Sequence, residues 1–385
     1  MIEPARFFEA VSAAGVRFAT GVPDSLLKEA CTYLAEALPP ERHVIAVNEG
    51  SAVALAAGHF LATGAVPLVY LQNSGLGNAV NPLLSLAAPS VYAVPLVLLI
   101  GWRGEPGVPD EPQHVTQGRL TPALLDALEL PYRVLDGDPD AASAHARWAV
   151  VEARRRSGPV ALLVRKGAFA AAPPSAERAA AAVRRVERLT REEAIERIVR
   201  ALVPESTVVA TTGMISRELH AIRRRHGDDG SCDFLTVGSM GHASQIALGL
   251  ALARPGMQVV CLDGDAAALM HMGGLATVGT SAARGYLHVV LNNGAHDSVG
   301  GQPSAGFAID LPGIARACGY QVALGPVRDG AALTEQVRAL QASSGPNLLE
   351  VRVATGARPD LGRPAEAPVD AKWRFMRRLE LGADV

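Results

Sequence analysis

An acidic step, Asp263-Gly264-Asp265, and a paired amide, Asn292-Asn293, each stand directly after a run of apolar, Val-containing residues. The run 257–262 reads as a buried parallel strand that ends at the acidic step, and the run 286–291 as a second that ends at the amides. Both clusters therefore fall at carboxyl ends of strands. In open α/β sheets that edge is where helix N-termini and loop amides converge on ligands. A carboxylate, an amide oxygen and a backbone carbonyl are hard donors suited to Mg2+, which keeps part of its octahedron for phosphate oxygens and water. Asp265, Asn293 and the carbonyl of Ala295 make up such a set, and the chemistry is that of a cation site for a diphosphate.

These residues need strands to carry them, and further apolar runs occur at 44–47, 67–71, 95–100 and 160–164, then at 207–210, 259–262, 287–291 and 347–353. Helical patterns fill the gaps. One, 25–38, carries Leu26, Leu27, Ala30, Cys31, Leu34 and Leu38 at helical spacing and stops at Pro39-Pro40. Alternating strands and helices predict an α/β fold of two domains, each a mostly parallel sheet flanked by helices. The break is expected at 171–189, where Pro173-Pro174 and an Ala/Arg-rich stretch separate 1–170 from 190–385. Thr190 and Glu193 then have the spacing of a capping box that opens a helix.

With 385 residues, 49% of them hydrophobic, and a formal charge of -2, the chain has ample core for about two domains. No basic face points to nucleic acid, and no apolar run approaches the roughly twenty residues of a membrane span. The opening residues lack the pattern of a signal peptide, so a cytoplasmic protein is expected. Cys31, Cys232, Cys261 and Cys318 are widely spaced and form no Cys-x-x-Cys pair, which argues against a disulfide framework or structural zinc. Cys261, inside a buried strand, reads as an inert apolar residue. The turn Ser74-Gly75-Leu76-Gly77-Asn78 follows a strand but lacks the third glycine and the acidic residue of a dinucleotide fingerprint.

The strand-borne pair of clusters resembles the thiamine diphosphate motif, which opens Gly-Asp-Gly and closes with Asn-Asn. Here it runs from Gly264-Asp265-Ala266 to Asn292-Asn293. The resemblance implies that Asp265, Asn293 and the Ala295 carbonyl hold Mg2+, and that Gly213, Gly264, Ala266 and Ala267 contact the cofactor. Ala266 departs from the motif's second glycine, a change compatible with the site while its backbone stays at negative φ. Glu49, where a short strand meets the first turn of an Ala-rich helix, would by itself read as a carboxylate favoured by the helix dipole. The resemblance makes it the acid bonded to the aminopyrimidine ring, best served by an apolar pocket that strengthens its hydrogen bond and raises its pKa. Met240 becomes the apolar wedge that bends the cofactor, which makes proton transfer intramolecular, and the carbonyl of Gly238 the acceptor for its amino group. The turn 74–78, with Asn73, Asn78 and Asn81, is similar to the loop beside the cofactor. By the same resemblance 1–170 binds the pyrimidine and 190–385 the diphosphate. No central third domain intervenes, and a homo-oligomer builds its active sites between subunits.

Longer runs narrow the family. Gly21-Val22-Pro23-Asp24-Ser25, Arg103-Gly104-Glu105-Pro106-Gly107, Asp110-Glu111-Pro112-Gln113-His114, Leu269-Met270-His271-Met272-Gly273 and the stretch 292–303 look like the phosphonopyruvate decarboxylases, with the sulfopyruvate decarboxylases close by. The implied reaction is decarboxylation of 3-phosphonopyruvate to phosphonoacetaldehyde and CO2, in phosphonate natural-product and antibiotic biosynthesis, with the cofactor as electron sink. Asp24, His114, His296 and Asp297 are the candidates for proton transfer, His because its ordinary pKa lies near neutrality. Ser25, Arg103 and Lys166 are candidates for the phosphonate, although Arg103 and Lys166 read equally well as solvated loop charges. Sulfopyruvate, another 2-oxoacid in a decarboxylase or carboligase, and a non-catalytic diphosphate-binding protein are the alternatives.

Overall fold

The computed structural model describes residues 1–171 and 189–379. The expected break at 171–189 thus falls almost wholly outside the described residues. Two compact units are present, the first holding the described residues up to 171 together with 298–302, the second the remainder. In the first, β1 (Ala19–Gly21), β2 (His43–Ile45), β3 (Leu68–Gln72), β4 (Val97–Gly101), β5 (Tyr132–Leu135) and β6 (Val160–Val164) form one sheet in the order β2-β1-β3-β4-β6-β5. In the second, β7 (Thr207–Ala210), β8 (Asp233–Leu235), β9 (Val259–Gly264) and β10 (Tyr286–Asn292) precede two short strands, β11 (Ala295–His296) and β12 (Gln302–Pro303). β13 (Val322–Val327) and β14 (Asn347–Arg352) complete a sheet ordered β8-β7-β9-β10-β14-β13. Every neighbouring pair in both six-stranded sheets is parallel. Counted from the first strand of each unit, the two orders are identical.

Parallel neighbours can be joined only by crossovers, so helices cover both faces and the central strands are apolar throughout. β4, β6 and β10 are buried along their whole length. In each unit the chain steps outward from the first strand and returns on its other side. The reversals fall between β1 and β3 and between β7 and β9, where a crevice opens at the carboxyl ends. The loops leaving those ends are 22–25 and 73–75 in the first unit, and 211–213 with the start of helix Asp265–Met270 in the second.

Eight of these strands follow the apolar runs, with ends shifted by a residue or two. β1, β5, β8 and β13 were not expected from the sequence. β1 and β8 have three residues each, and β5 and β13 are partly exposed, so none carries the long apolar signature of a central strand. The helix expected from 25 begins at Lys28, because Asp24 first holds a turn by accepting the N–H of Leu26 at 3.0 Å. Helix Glu49–Thr63 is bounded as its sequence demands. Asn48 caps it by accepting the N–H groups of Gly50 and Ser51, and Gly64 ends it in the left-handed region. Thr190 and Glu193 form the expected capping box. All four cysteines are free thiols, and burial raises the pKa of Cys261 well above the ordinary thiol value. Among the described residues no helix is long and apolar enough to cross a membrane.

His43, on β2, lies against Tyr70 with Nε2 2.9 Å from the phenol oxygen, and burial lowers its pKa from 6.5 to about 4. The unfolded chain therefore binds a proton that the folded chain refuses. Stability from this site is complete above pH 6.5 and is lost as the pH falls toward 4. Melting curves at pH 7 and pH 5 should show that His43→Gln removes about 1 kcal/mol of the acid-side loss, discounted for the partial exposure of the ring. Equal pH slopes for the two proteins would contradict this.

Candidate active site

The second unit gathers the cation-binding candidates. β9 ends at Gly264, and Asp265 is the first residue of helix Asp265–Met270, only 2% exposed. Its carboxylate accepts hydrogen bonds from the Ser304 hydroxyl and from the N–H of Asn293. Burial raises its pKa from 3.8 to about 6, with those hydrogen bonds opposing. Among the described residues no basic side chain pairs with it. A carboxylate removed from water without a cationic partner is costly, and a divalent cation is what would satisfy it. Ala266 lies within this helix and is absent from the positive-φ residues, so its methyl group carries no backbone penalty.

Asn292 and Asn293 are held by different networks. Asn292 donates to Glu350 and to the carbonyl of Gly306, both at 2.7 Å, and accepts the N–H of Gly294. The turn at Gly306 closes so tightly that a Cβ there would lie 2.4 Å from an oxygen of Asp265. Asn293 donates Nδ2 to Asp297 at 2.7 Å, while its Oδ1 accepts the N–H of Ala295. The network thus settles which end of the amide presents oxygen. With the carboxylate of Asp265 and the carbonyl of Ala295, this donor set fits a hard divalent cation.

Asp297, a candidate for proton transfer, is held by three donors. Its Oδ2 accepts from Arg191 at 2.7 Å, from Asn293 and from the N–H of Gly356 at 2.8 Å. Arg191 turns its other edge to Glu218 at 2.8 and 2.9 Å, and both are almost fully buried. Asp297 therefore belongs to an ion-pair network that holds the Asn293 amide. Neither Arg191 nor Glu218 was singled out from the sequence. The available signal was Arg191 itself, a cation in the first turn of helix Arg191–Ala201, where the helix dipole disfavours one. His296 is buried, which lowers its pKa to about 4 and keeps the imidazole neutral.

Gly213, at φ 99°, opens helix Met214–Arg225, and Met240 is half-buried in the loop that follows β8. Ser239, between Gly238 and Met240, has φ 51°. A non-glycine residue there stores strain of about 1 kcal/mol, as residues at ligand clamps often do. Behind β9, His288 lies between Asp263 and Tyr320, each at 3.3 Å, with Cys261 close enough to form a possible ligand trio. Both ring nitrogens of His288 already have partners.

The first unit gathers the other candidates for proton transfer. Glu49 is 5% exposed, and Asn78 donates to its Oε2 at 2.7 Å. Burial raises its pKa, and the Asn78 hydrogen bond opposes that rise. The wall beside it is Gly75, where a Cβ would lie 2.3 Å from Oε1. The glycine turn 74–78 thus serves to admit the Glu49 carboxyl.

A second cluster brings together Asp24, Ser25, Arg103 and His114. Asp24 is fully buried, accepts from Gln72 at 2.6 Å and has its pKa raised by burial. Arg103 donates Nη1 to Ser25 at 2.7 Å and its Nε and Nη2 to the two oxygens of Asp110. Asn73 fixes the backbone of Arg103 from both sides, at 2.9 and 3.1 Å. His114 places Nδ1 2.9 Å from Asp110, and burial lowers its pKa against the opposing effect of that carboxylate. Lys166 is exposed, with Nζ 3.5 Å from the carbonyl of Pro109. Asp110 had stood only within a motif, and the structure makes it the hub.

Residues 5–129 match the N-terminal TPP binding domain of thiamine pyrophosphate enzymes, and residues 211–351 match the C-terminal TPP binding domain. Paired sheets of one topology, with a carboxylate walled by a glycine turn in one and a cation-ready loop in the other, define a thiamine pyrophosphate enzyme. The chain is 37% identical to the phosphonopyruvate decarboxylase of Streptomyces viridochromogenes, over 97% of this chain and 94% of that protein. It is 36% identical to that of Streptomyces hygroscopicus, over 97% and 93%. The sulfopyruvate decarboxylase of Methanosarcina acetivorans is 29% identical over 82% of each. The chain belongs to the phosphonopyruvate decarboxylase family, and it is a decarboxylating carbon–carbon lyase.

Two variants probe this geometry. Arg191→Met leaves the buried Glu218 and the half-buried Asp297 without their cation and should lower unfolding free energy by about 3 kcal/mol, read from denaturant melts. A loss below about 1 kcal/mol would mean that Glu218 and Asp297 do not depend on Arg191 to compensate their charge. Gly75→Ala should keep its melting temperature within a few degrees while decarboxylase activity falls at least tenfold, because the methyl group displaces Glu49. Full activity in that variant would show that the carboxyl need not sit where Gly75 admits it.

Proposed function

We propose that this protein decarboxylates 3-phosphonopyruvate to phosphonoacetaldehyde and CO2 with thiamine diphosphate and Mg2+. The observation that carries the reading is that likeness to phosphonopyruvate decarboxylases runs through 97% of the chain. It therefore includes the loops around Asp24 and Arg103 as well as the cofactor motifs. The first unit is the pyrimidine-binding domain and the second the diphosphate-binding domain, joined within 171–189.

Asp265, Asn293 and the Ala295 carbonyl would hold Mg2+ and, through it, the diphosphate. Gly213, Gly238, Met240, Gly264, Ala266 and Ala267 form the surrounding cofactor surface. When bound, thiamine diphosphate supplies the electron sink for the bond that breaks as CO2 leaves. Glu49 brings a carboxyl whose raised pKa favours the protonated form, suited to a hydrogen bond with a ring nitrogen. Ser25 and Arg103 aim O–H and N–H donors at the phosphonate, and Lys166, near the carbonyl of Pro109, is a further cation for it. His114, neutral by burial and committed to Asp110 at Nδ1, accepts or returns a proton at Nε2. Asp24 and His296 are further proton carriers, and Asp297 acts by holding Asn293. The protein works as a cytoplasmic homo-oligomer whose sites are completed between subunits, in phosphonate natural-product biosynthesis.

A second reading, sulfopyruvate as substrate, is favoured by the likeness to sulfopyruvate decarboxylase over 82% of the chain. CO2 release is to be compared with phosphonopyruvate, sulfopyruvate and pyruvate at equal concentration, with cofactor and Mg2+ present. Turnover should be fastest with phosphonopyruvate and should vanish after chelation, returning with Mg2+. Preference for sulfopyruvate would establish the second reading, and silence with all three would end both. Glu49→Gln should fold and melt like the wild type but lose at least two orders of magnitude in kcat, and near-normal turnover would remove Glu49 from its role.

A further inference from the structure

We propose that Asp110 is a positioning residue that locks Arg103 and His114 into one rigid unit and selects the working nitrogen of His114. This deepens the decarboxylase reading and rests on it.

Five N–H groups converge on the two oxygens of Asp110. They are Nε and Nη2 of Arg103, the backbone N–H of Gly104 at 2.9 Å, the backbone N–H of Glu111 at 2.7 Å, and Nδ1 of His114 at 2.9 Å. An ionised carboxylate offers about four lone-pair sites and no donor, so this one is saturated. Its hydrogen bonds to Arg103 and His114 hold its pKa well below the usual carboxylate range despite burial. The carboxylate can therefore only accept, and the hydrogen shared with His114 must reside on Nδ1. The neutral imidazole is then bare at Nε2, the atom left for proton transfer.

The same oxygens orient Arg103. Three of its five N–H donors are committed, two to Asp110 and one to Ser25. Because Asp110 balances its charge, Arg103 works as an aimed donor beside the Ser25 hydroxyl rather than as a free cation. Arg103, Gly104, Glu111 and His114 all lie in the span 103–114, so the loop and the first turn of helix Pro112–Ala127 are folded onto one side chain. Neither Arg103 nor His114 can move without the other.

A residue that only closes a loop would affect stability. A residue acting through Arg103 and His114 leaves a different signature. Asp110→Asn should keep thiamine diphosphate binding within twofold, followed by intrinsic fluorescence. Its kcat/KM should fall by about 100-fold, between the usual loss for an outer-shell partner and that for a wrong His tautomer. Asp110→Glu, which keeps the charge, should recover part of that loss. In a His114→Gln background, the further cost of Asp110→Asn should shrink from about 100-fold to about tenfold, the share carried through Arg103, because the His114 half of the unit is already lost. A full additional loss there, or normal kcat/KM in Asp110→Asn, would overturn the proposal.

The tautomer is read separately, with ring-15N histidine and the His114 signal assigned from His114→Gln. The wild type should carry its proton on Nδ1 at neutral pH, and Asp110→Asn should shift it toward Nε2. An unchanged tautomer would also overturn the proposal. This measurement needs no turnover, so a wild type silent toward every 2-oxoacid would defeat the decarboxylase reading while the tautomer still decides the role of Asp110.

Discussion

Asp265 is a carboxylate taken out of water with no basic side chain beside it among the described residues, and much of the second unit is arranged around that fact. Desolvating an unpaired charge is among the most expensive things a fold can do. The chain accommodates it with two hydrogen bonds, from Ser304 and Asn293, and with a turn at Gly306 that closes against it. The neighbouring amides are oriented rather than loosely placed. Glu350 and Gly306 hold Asn292, and Asp297 holds Asn293. Preorganisation of this kind suits a cation that requires near-ideal oxygen geometry.

The support behind that loop is itself ionic. Arg191 joins Glu218 to Asp297, and the desolvation of three charged groups is offset only because each donor edge of the guanidinium meets an oxygen. Such networks contribute little net stability compared with apolar packing. What this one contributes is a fixed position for Asn293, transmitted from the start of helix Arg191–Ala201. The capping box at Thr190 and Glu193 fixes that helix start in turn.

The first unit uses the same sheet topology for a different end. Its reversal between β1 and β3 carries Asp24 against Gln72, and the loop after β3 carries Gly75 and Asn78 against Glu49. Here burial raises the pKa values of Asp24 and Glu49, as it does that of Asp265, but among the described residues no set of oxygen donors surrounds them. One architecture thus gathers an oxygen donor set in one unit and titratable groups in the other. The difference lies in which polar residues follow the strands, not in the strands themselves.

The long apolar runs and the polar residues at their ends were legible from residue order alone, because burial on both faces demands continuous Val, Ile and Leu, and a parallel strand delivers its next residues to a ligand edge. Asp265 and Asn293 stood out for that reason, and so did the two-sheet α/β architecture, whereas Glu49 took its role only from the resemblance to thiamine enzymes. The short or partly exposed strands β1, β5, β8 and β13 did not, since they lack a signature that distinguishes them from loop. The union of Arg191 with Asp297, and of Asp110 with Arg103 and His114, was decided only by the tertiary structure. Residue order records which charges a chain carries, but the partner of a charge is set by the crossovers and loop closures that bring distant or turn-separated side chains within hydrogen-bonding distance.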